Sequence, residues 1–294
     1  MQEIFNGLEE MVLERALYVV ATPIGNREDV TIRMVRILKS CDHLFCEDSR
    51  VSRKLLEFCG LGAKHLGVYN DNSGEGQRDH IVSLLENGSA VALLSDAGTP
   101  AIADPGFRLK QRCLESGIRV IPVPGASACI AAVSASPLAS DKFFFQGFLP
   151  KPLERRRREL KELMARGETV VCFESPLRLV STLKIIADLD DRRIVCVARE
   201  MTKLFEDIET ERASEMLRRY EDKFAGARVK GEIVLLLEKN DSPPVLDLNN
   251  LEGMLRASLK YLSLRDAAEL FSEVLGLGRK EVYGKLLLLG ERHG

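Results

Sequence analysis

The feature that most constrains the fold is an alternation of short apolar runs with amphipathic segments in the first half of the chain. The apolar runs are rich in β-branched residues and span five or six residues each, as expected for buried strands: 17–22, 43–47, 65–69, 90–95 and 119–123. The intervening segments, such as 31–41 and 79–88, carry apolar residues at helical spacing. This alternation is typical of an α/β domain with a buried, largely parallel sheet.

A second group of strands follows a loop at residues 135–141. Its apolar runs cover 143–150, 168–174, 193–199, 204–210 and 232–238. Fewer helices separate the later runs, which favours antiparallel pairing there. A linker at 240–250 leads to a helical tail. We therefore expect an N-terminal α/β domain with cofactor-binding turns at 1–141, a second α/β domain completing a cleft at 142–240, and a helical C-terminal tail at 241–294.

Composition excludes several classes of protein. Apolar residues make up 45% and charged residues 29%, which is typical of a soluble globular chain. No apolar run approaches the roughly 20 residues of a membrane helix, and the acidic N-terminus does not resemble a signal peptide. A packed helix is expected at its start from the spacing of Ile4, Phe5, Leu8, Met11 and Val12. We expect a cytoplasmic protein without a membrane partner.

Cysteine and charge patterns narrow the chemistry further. The seven cysteines form no CxxC pair, and most lie within apolar runs, which favours reduced core thiols over disulfides or zinc ligands. The four histidines show no metal-ligand spacing, so no metal is expected. The net charge is −2, so any nucleic-acid surface must be local.

Three turns rich in glycine and proline follow strand-like runs, and we expect them to lie at one edge of the parallel sheet. They occupy 21–31, 93–106 and 123–128, and the second reads LLSDAGTPAIADPG. Open α/β sheets bind ligands at the carboxyl ends of their strands, and glycine lets the backbone approach a ligand closely. The turns predict a small-molecule site built mostly from backbone, although tight strand-to-helix connections alone also use these residues. Neither GxGxxG nor GxxxxGK[ST] opens a helix, which disfavours ordinary dinucleotide sites and P-loops.

Eight short motifs occur in the order and spacing of one protein family. They are ATPIGN (21–26), EDSR (47–50), LSDAGTPAIADPG (94–106), PGASA (124–128), GFLP (147–150), FES (173–175), REMTK (199–203) and KGEIVL (230–235). Over residues 16–292 the chain resembles the ribosomal RNA small-subunit methyltransferase I family of the tetrapyrrole-methylase superfamily. That family usually has threonine at Ser49 and leucine at Met201; the replacements keep a hydroxyl and an apolar volume, respectively.

The resemblance implies a two-domain class III methyltransferase fold of the α/β class, a homodimer, and S-adenosylmethionine bound in the cleft between domains. It also implies methylation of the 2′-oxygen of a cytidine near the decoding region, on small-subunit ribosomal RNA or the assembled small subunit. By motif position, the implied cofactor contacts are Ile24, Gly25, Ser95, Asp96, Ala97, Gly98, Thr99, Pro100, Ile102, Pro124, Gly125, Ala126, Ser127, Phe173, Glu174, Arg199 and Glu200.

A ribose 2′-hydroxyl is a weak acid, so a positioned base is expected to assist its reaction. Our first choice is the cluster Glu47, Asp48 and Arg50. Removing two carboxylates and an arginine from water directly after a buried strand costs free energy, so we expect these residues to serve a function. The other candidates are Glu174, Glu206, Glu232 and, if burial depresses its pKa, Lys203. For each residue, a salt bridge or a helix cap remains an alternative.

RNA contact requires a basic surface, and residues 151–166 supply seven Lys or Arg against three Glu. They include the consecutive run Arg155, Arg156, Arg157 and Arg158, although a solvated helix face would look the same. The tail at 263–289 predicts two helices around a glycine-containing turn, reminiscent of a helix-turn-helix. Its charges nearly balance, so a packing or dimer role competes with RNA contact.

Two other functions remain open. The first is a tetrapyrrole methylase of the same fold, acting on a small acidic macrocycle, and the second is a nucleotide-binding regulatory module without catalysis. SDAGTP with its following DPG, together with REMTK, favours the RNA methyltransferase over the tetrapyrrole methylase. The ionisable cluster at 47–50 disfavours the regulatory module.

Overall fold

The first half of the chain forms one fully parallel sheet. The computed structural model describes residues 5, 7–62, 64–224, 228–241, 248–275 and 278–290. The strands are β1 (Ala16–Val20), β2 (His43–Cys46), β3 (Leu66–Val68), β4 (Val91–Leu94) and β5 (Arg119–Val123). They are arranged in the order β3-β2-β4-β1-β5, and every neighbouring pair is parallel. The predicted parallel sheet is confirmed.

Helices cover both faces of this sheet, which explains why its strands are continuously apolar. The helices are α1 (Ile32–Ser40), α2 (Ser49–Phe58), α3 (Glu75–Glu86) and α4 (Phe107–Glu115). Tyr18 and Val20 pack in the core that contains α1 and α2, while Leu17 and Val19 pack in the core that contains α3 and α4. The connection from β1 therefore runs along one face toward β2, and that from β4 runs along the other face toward β5. Loops after neighbouring strands that leave in opposite directions mark the usual ligand position of such sheets.

The second sheet is mixed. Its strands are β6 (Phe143–Phe148), β7 (Thr169–Glu174), β8 (Ile194–Arg199), β9 (Asp207–Arg212) and β10 (Ile233–Leu237). They are arranged in the order β6-β7-β10-β8-β9. Only β6 and β7 pair in parallel; β10 runs antiparallel to β7 and β8, and β9 antiparallel to β8. The antiparallel pairing predicted for the late strands is confirmed.

One helix ties the first sheet to the second. The helices of this half are α5 (Ala128–Ala135), α6 (Leu153–Met164), α7 (Leu179–Leu189) and α8 (Ala213–Lys223). Residues of α6, α7 and α8 pack on one face of the second sheet. On the opposite face Cys129, Ala132 and Val133 of α5 pack with Ile24, from the loop after β1. The loops of the first sheet are thereby held against the second sheet.

The tail forms a compact unit of its own. By contacts the chain divides into Met1–Asn240 and Asp241–Gly294. The tail contains α9 (Leu248–Ser258), α10 (Leu264–Leu275) and α11 (Arg279–Gly290). Its core includes Leu255, Ala267, Ala268, Phe271, Val282 and Leu286. The two helices predicted at 263–289 are present. The predicted linker is shorter than expected, because a helix already begins at Leu248, and its residues 242–247 lie outside the described residues.

Two local predictions are wrong in the described residues. No helix forms over 8–14, where Met11 and Val12 are exposed, and most of the preceding residues lie outside the described ranges. The strand predicted from residue 204 begins only at Asp207, because a turn containing two left-handed residues, Glu200 and Thr202, precedes it. Apolar side chains at 204 and 205 imitate a strand in the sequence yet are exposed.

All seven cysteines are buried free thiols, as predicted for core residues. All seven belong to the hydrophobic cores around the two sheets: Cys41, Cys46, Cys59 and Cys113 pack around the first sheet, Cys172 under the helices of the second, and Cys129 and Cys196 between α5 and the second sheet. Among the helices that the structure describes, none has the length and apolar character needed to cross a membrane.

Candidate active site

The three predicted turns meet at the carboxyl edge of the first sheet. Thr22, after β1, and Gly98, after β4, form a backbone pair with N–H to O distances of 2.8 and 3.0 Å. The Ser95 hydroxyl donates to the Gly98 carbonyl at 2.9 Å. The Thr99 hydroxyl donates to the carbonyl of Ala126, in the turn after β5, at 3.3 Å. Backbone and hydroxyl groups thus join all three turns.

Glycine is favoured at two positions in these turns, and for different structural reasons. Gly98 has a φ of +81°, in the left-handed region that glycine tolerates best. A Cβ on Gly125 would lie 3.0 Å from the Cβ of Ala21, at the end of β1. Packing between two turns therefore accounts for Gly125, whereas the sequence suggested close approach to a ligand.

The loop after β4 contains backbone strain. Ala101 and Ala103 both have positive φ, 64° and 59°, and a left-handed alanine costs about 1–2 kcal/mol. Ala103 is also the nearest neighbour of Gly147 in β6, where an added Cβ would lie 3.9 Å from that of Ala103. The strained loop therefore abuts the second sheet, and strain of this kind is concentrated at functional sites.

A cavity of about 450 Å³ lies between the loops of the first sheet and one edge of the second, where β6, β7 and β8 end and the antiparallel β10 begins, all within 1–240. This volume is within the usual range for small-molecule sites. On the first side it is lined by Ile24, Glu47, Asp96, Ala97, Gly98, Ile102, Asp104, Ser127 and Ala128. On the second side it is lined by Phe148, Phe173, Glu174, Ser175, Pro176, Met201, Gly231, Glu232, Ile233 and Val234.

Five carboxylic side chains belong to residues of this cavity wall: Glu47, Asp96, Asp104, Glu174 and Glu232. Two of them have cationic partners, since Arg178 lies 2.6 Å from Glu174 and Lys203 lies 2.9 Å from Glu232. The other three form no ion pair with any residue that the structure describes. Their uncompensated charge favours a ligand that carries positive charge.

Asp104 is the most perturbed of these carboxyls. Partial burial, followed by repulsion from Glu47 and Asp96, raises its pKa to about 7. Burial likewise raises the pKa of Glu47 and of Asp96, with neighbouring carboxylates adding to both shifts. All three carboxyls therefore ionise less readily than usual, and Asp104 retains its proton to the highest pH.

The first-choice base, Asp48, is occupied by a structural role. It is the N-cap of α2, where Oδ1 accepts the N–H of Arg50 at 2.8 Å, and the Arg50 guanidinium chelates the same carboxylate. These hydrogen bonds hold the pKa of Asp48 at about 2. Neither Asp48 nor Arg50 is among the residues that line the cavity. The structure therefore disfavours Asp48 and Arg50 as catalytic groups; of the cluster, Glu47 lines the site.

Lys203 holds two carboxylates together. Its Nζ lies 2.8 Å from Glu200 Oε1 and 2.9 Å from Glu232 Oε2, and Glu200 also accepts the N–H of Glu232 at 2.9 Å. Burial lowers the pKa of Lys203, but the two carboxylates outweigh it and raise the pKa above its usual value. The condition for Lys203 to act as a base, a depressed pKa, is therefore not met.

The base candidate Glu206 also has a structural partner, because its side chain accepts the N–H of Thr202 at 2.5 Å.

Glu174 anchors a buried network behind the cavity. Its side chain is fully buried and accepts from the Ser175 N–H and the Thr182 hydroxyl, each at 2.6 Å, in addition to pairing with Arg178. Arg178 also donates to the carbonyl of Leu149 at 3.1 Å. These three partners occupy most of the roughly four lone-pair sites of the carboxylate and assign it a structural role in fixing the loop after β7.

The predicted cofactor residues divide into two groups. Eight line the cavity: Ile24, Asp96, Ala97, Gly98, Ile102, Ser127, Phe173 and Glu174. The other nine are not among the lining residues: Gly25, Ser95, Thr99, Pro100, Pro124, Gly125, Ala126, Arg199 and Glu200. Arg199, for example, pairs with Asp207 at 3.4 Å. Nine further lining residues were assigned no role from the sequence, although each lies in or next to one of the eight motifs: Asp104, Ala128, Phe148, Ser175, Pro176, Met201, Gly231, Ile233 and Val234.

The predicted basic surface on α6 needs one correction. Arg155 and Arg158 are exposed, but Arg156 is 3% exposed and donates from Nη2 to the Ser181 hydroxyl at 3.0 Å. Arg157 lies 3.5 Å from Asp188 of α7. Consecutive helix positions point in different directions, so a run of four arginines cannot form one surface. Arg156 is part of the buried interior and is not available to RNA.

Comparison with known proteins places the chain among methyltransferases. The profile of the tetrapyrrole (corrin/porphyrin) methylases matches residues 16–217. Ribosomal RNA small subunit methyltransferase I of Rickettsia prowazekii (strain Madrid E) is 38% identical over 278 residues, which are 93% of this chain and 96% of that protein. The protein of the same name from Mesorhizobium japonicum is 40% identical over 288 residues, 96% of this chain and 95% of its own. The Escherichia coli O157:H7 protein is 38% identical over 272 residues, 91% and 93% of the two chains.

Solved structures support the same architecture. A uroporphyrin-III-C-methyltransferase from Thermus thermophilus superimposes with a TM-score of 0.51 at 17% identity, covering 76% of this chain and 94% of the other. A diphthine synthase superimposes with a TM-score of 0.55 at 12% identity, covering 76% and 90%. At these identities the likeness concerns the fold alone, which is that of the class III methyltransferases predicted above.

Proposed function

The chain belongs to the tetrapyrrole methylase family and, within it, to the ribosomal RNA small subunit methyltransferase I family, and we propose that it methylates the 2′-oxygen of a cytidine in small-subunit ribosomal RNA near the decoding region. The methyl donor is S-adenosylmethionine. The substrate is the RNA or the assembled small subunit, the working form is a homodimer, and the site of action is the cytoplasm, where ribosomal subunits are found.

One observation carries this proposal. Residues from motifs separated by more than 200 positions in the sequence line a single cavity: Ile24 after β1, Gly98 and Asp104 after β4, Phe173 at the end of β7, and Glu232 before β10. The chain shares these motifs with a family of RNA methyltransferases. Their convergence on one cavity supports a common binding site for the methyl donor.

The cavity fits this cofactor in size and in charge. A volume of about 450 Å³ suits a nucleoside with an amino-acid tail. S-adenosylmethionine carries a sulfonium and an ammonium group against one carboxylate, and the carboxyls of Glu47 and Asp96, which form no ion pair among the described residues, supply a complementary wall. The backbone around Gly98 and the apolar side chains Ile24, Phe173 and Met201 would hold it. Once bound, the sulfonium supplies an activated methyl group.

The protein's own contribution is alignment and proton management. Holding the ribose oxygen in line with the methyl group converts a bimolecular reaction into an effectively unimolecular one, the largest share of the acceleration expected here. Phe148, 58% exposed and in edge contact with Phe173 at a centroid distance of 5.4 Å, offers an apolar surface at the mouth of the cavity. A base would add about 10²–10⁴-fold.

RNA contact outside the cavity is assigned to part of α6. Lys151, Arg155, Arg158 and Lys161 are exposed, and spacings of three along the helix place the last three on one side of it. Such a stripe would neutralise phosphates without reading sequence. An acidic tetrapyrrole is a poorer substrate for this cavity, because the carboxyls that line it would repel a macrocycle rich in carboxylates.

The proposal is tested by methyl transfer to small subunits from a strain that lacks this modification. Purified protein, labelled S-adenosylmethionine and either assembled subunits or naked RNA are combined, and the product is mapped by mass spectrometry. We expect one methyl group per subunit, on the ribose of a cytidine near the decoding region. Methyl groups on a base or at another nucleotide would refute the cytidine 2′-oxygen; no incorporation into either substrate would refute ribosomal RNA.

A further inference from the structure

Asp104 occupies a position that the loop after β4 constrains from both sides. Ala103 precedes it in a left-handed conformation, and Gly106 follows with a φ of +134°. A Cβ on Gly106 would lie 3.0 Å from Leu93 Cδ2 and 3.1 Å from the Cβ of Ala101, so the loop is closely packed on its inner side. The backbone therefore holds Asp104 at the cavity wall in a fixed geometry.

The other carboxyls near the cavity are engaged elsewhere. Glu174 has three partners and is fully buried, Glu232 is paired with Lys203, and Asp48 is bound by Arg50 outside the cavity. Asp96 accepts the backbone N–H of Asp48 at 2.9 Å, which directs one of its oxygens toward the start of α2. Glu47 and Asp104 remain as cavity carboxyls that pair with no lysine or arginine among the described residues; after burial, Glu47 is the largest cause of the raised pKa of Asp104.

We propose that Asp104 is the general base that takes the proton from the attacking ribose hydroxyl, an assignment that rests on the proposed function. As the O–H bond breaks, the proton passes to a carboxylate oxygen of Asp104, and the hydroxyl oxygen forms a bond to the methyl carbon. The carbon–sulfur bond breaks with its electron pair going to sulfur, leaving a neutral thioether. Asp104 then returns the proton to water, so one proton is released per methyl group transferred.

The surroundings of Asp104 suit this role. The groups that face it are Glu47 after β2, Asp96 and the Ser95 hydroxyl after β4, and Asp71 after β3. Burial is the main cause that raises the pKa of Asp104 to about 7, and three of these four neighbours are carboxyls; Glu47 and Asp96 add most to the shift, while the Ser95 hydroxyl opposes it. A general base is most effective when its pKa is close to the working pH. Asp48, whose pKa is about 2, would be a far weaker base.

The test compares Asp104→Asn with Glu47→Gln, a matched change of a neighbouring cavity carboxyl. We expect Asp104→Asn to slow single-turnover methyl transfer to small subunits by about 10²–10⁴-fold and to remove its pH dependence near neutrality. Its affinity for S-adenosylmethionine, measured by calorimetry, is expected to stay within about threefold of the parent. Glu47→Gln is expected to retain the pH dependence, and Asp104→Glu is expected to recover part of the rate.

A readout without substrate or cofactor accompanies these rates. Infrared difference spectra of the parent against Asp104→Asn report the protonation of this carboxyl, and we expect it to titrate near pH 7. Titration near pH 4, or transfer by Asp104→Asn within threefold of the parent, would overturn the assignment. Loss of the pH dependence in Glu47→Gln alone would give the role to Glu47. If Asp104→Asn loses cofactor affinity in proportion to rate, Asp104 binds the cofactor instead. If the parent itself methylates no ribosomal RNA, it is the proposed function that fails.

Discussion

The side-chain hydroxyl of Thr202 accepts the backbone N–H of Asn26 at 3.0 Å, joining loops that lie 176 positions apart. The adjacent Gly25 is equally close to the second loop: a Cβ there would lie 2.5 Å from Lys203 Cγ and 2.9 Å from Thr202 Oγ1. The two walls of the cavity are therefore joined at the first turn, with no space for even one additional carbon. REMTK is thus better explained as a joint than as a catalytic motif.

Gly25→Ala tests this joint. Because Lys203 and Thr202 must shift to admit the methyl group, we expect the free energy of unfolding to fall by about 1–3 kcal/mol and cofactor affinity to weaken. Gly167→Ala is the matched control, since a Cβ at Gly167 meets nothing within 4 Å; its effect is expected within about 0.5 kcal/mol. Denaturant unfolding and calorimetric titration measure both quantities. If the two variants have the same free energy of unfolding and the same cofactor affinity, close packing at Gly25 does not join the two loops.

Replacement by methionine is expected to lower the free energy of unfolding much more at Arg178 than at Arg156. Arg178→Met leaves the fully buried carboxylate of Glu174 without its cation, which typically costs about 3–5 kcal/mol. Arg156→Met removes a buried guanidinium whose Nε and Nη1 have no partner among the described residues, so we expect a change below about 1 kcal/mol, of either sign. Chemical denaturation of both variants measures the difference. A larger loss in Arg156→Met would show that Arg156 itself neutralises Glu174.

The exposed stripe on α6 is tested by its salt dependence. Replacing Arg155, Arg158 and Lys161 with Gln is expected to weaken binding to small subunits and to reduce the log–log salt slope by about 2–3, since each phosphate contact contributes about 0.7–0.9. Arg108→Gln with Arg218→Gln, exposed arginines on α4 and α8, is the control and is expected to bind like the parent. If both variants bind like the parent at every salt concentration, RNA is held elsewhere.

Asp48→Asn separates capping from catalysis. Asparagine caps helices as well as aspartate does, so α2 is expected to persist and the rate of methyl transfer to keep its magnitude and pH dependence. The contribution of the Asp48 carboxylate to stability is present above its unfolded pKa and is lost only as the pH falls toward about 2. A drop of 10²-fold or more in single-turnover rate with unchanged cofactor affinity would restore Asp48 as the base.

Asp104 makes stability depend on pH in a predictable direction. Its pKa is raised on folding to about 7, so the native state disfavours the carboxylate that the unfolded chain holds freely. This penalty is absent below the unfolded pKa, grows as the pH rises and is complete above pH 7. Asp104→Asn is therefore expected to melt a few degrees above the parent at pH 8 and by a smaller margin at pH 5. Asp141→Asn, an exposed control outside the cavity, is expected to show the same difference at both values.

Periodicity was sufficient to predict most of the fold. The run at 90–95 contains β4, whose four apolar residues are all buried, as expected for a central strand of a parallel sheet. The run at 119–123 matches β5 residue for residue, although only Val123 of this edge strand is buried. The meeting of the three turns also followed from the rule that parallel strands end at one edge. The sequence pattern could not predict which residues of a motif face the cavity and which face the surrounding protein. Within REMTK, only Met201 lines the cavity, while Lys203 pairs with Glu200 and Glu232.

Charged residues were the least predictable part of the site. Asp48 and Asp104 both follow strands of one sheet, yet one has a pKa near 2 and the other near 7. Burial raises the pKa of Asp104, with Glu47 and Asp96 adding to the shift, whereas hydrogen bonds from Arg50, two residues along the same helix start, lower that of Asp48. The burial and the carboxyl neighbours of Asp104 arise from tertiary structure, which the sequence pattern did not supply. The run at 155–158 is a different case, because helical spacing from the sequence already places Arg156 on the same face as Leu160, and this face is buried while Arg155 is exposed.

The seven buried thiols have a practical consequence for following this protein in solution. Burial raises the pKa of Cys41 to about 12 and those of Cys59 and Cys113 to about 11, and only the thiolate reacts with maleimides. A single cysteine introduced at an exposed position such as Leu177 or Leu204 would therefore be the preferred target of a fluorescent label in the folded chain, with no native cysteine removed. A dye pair at those two positions could then report on the spacing between the loops after β7 and β8 while the enzyme works.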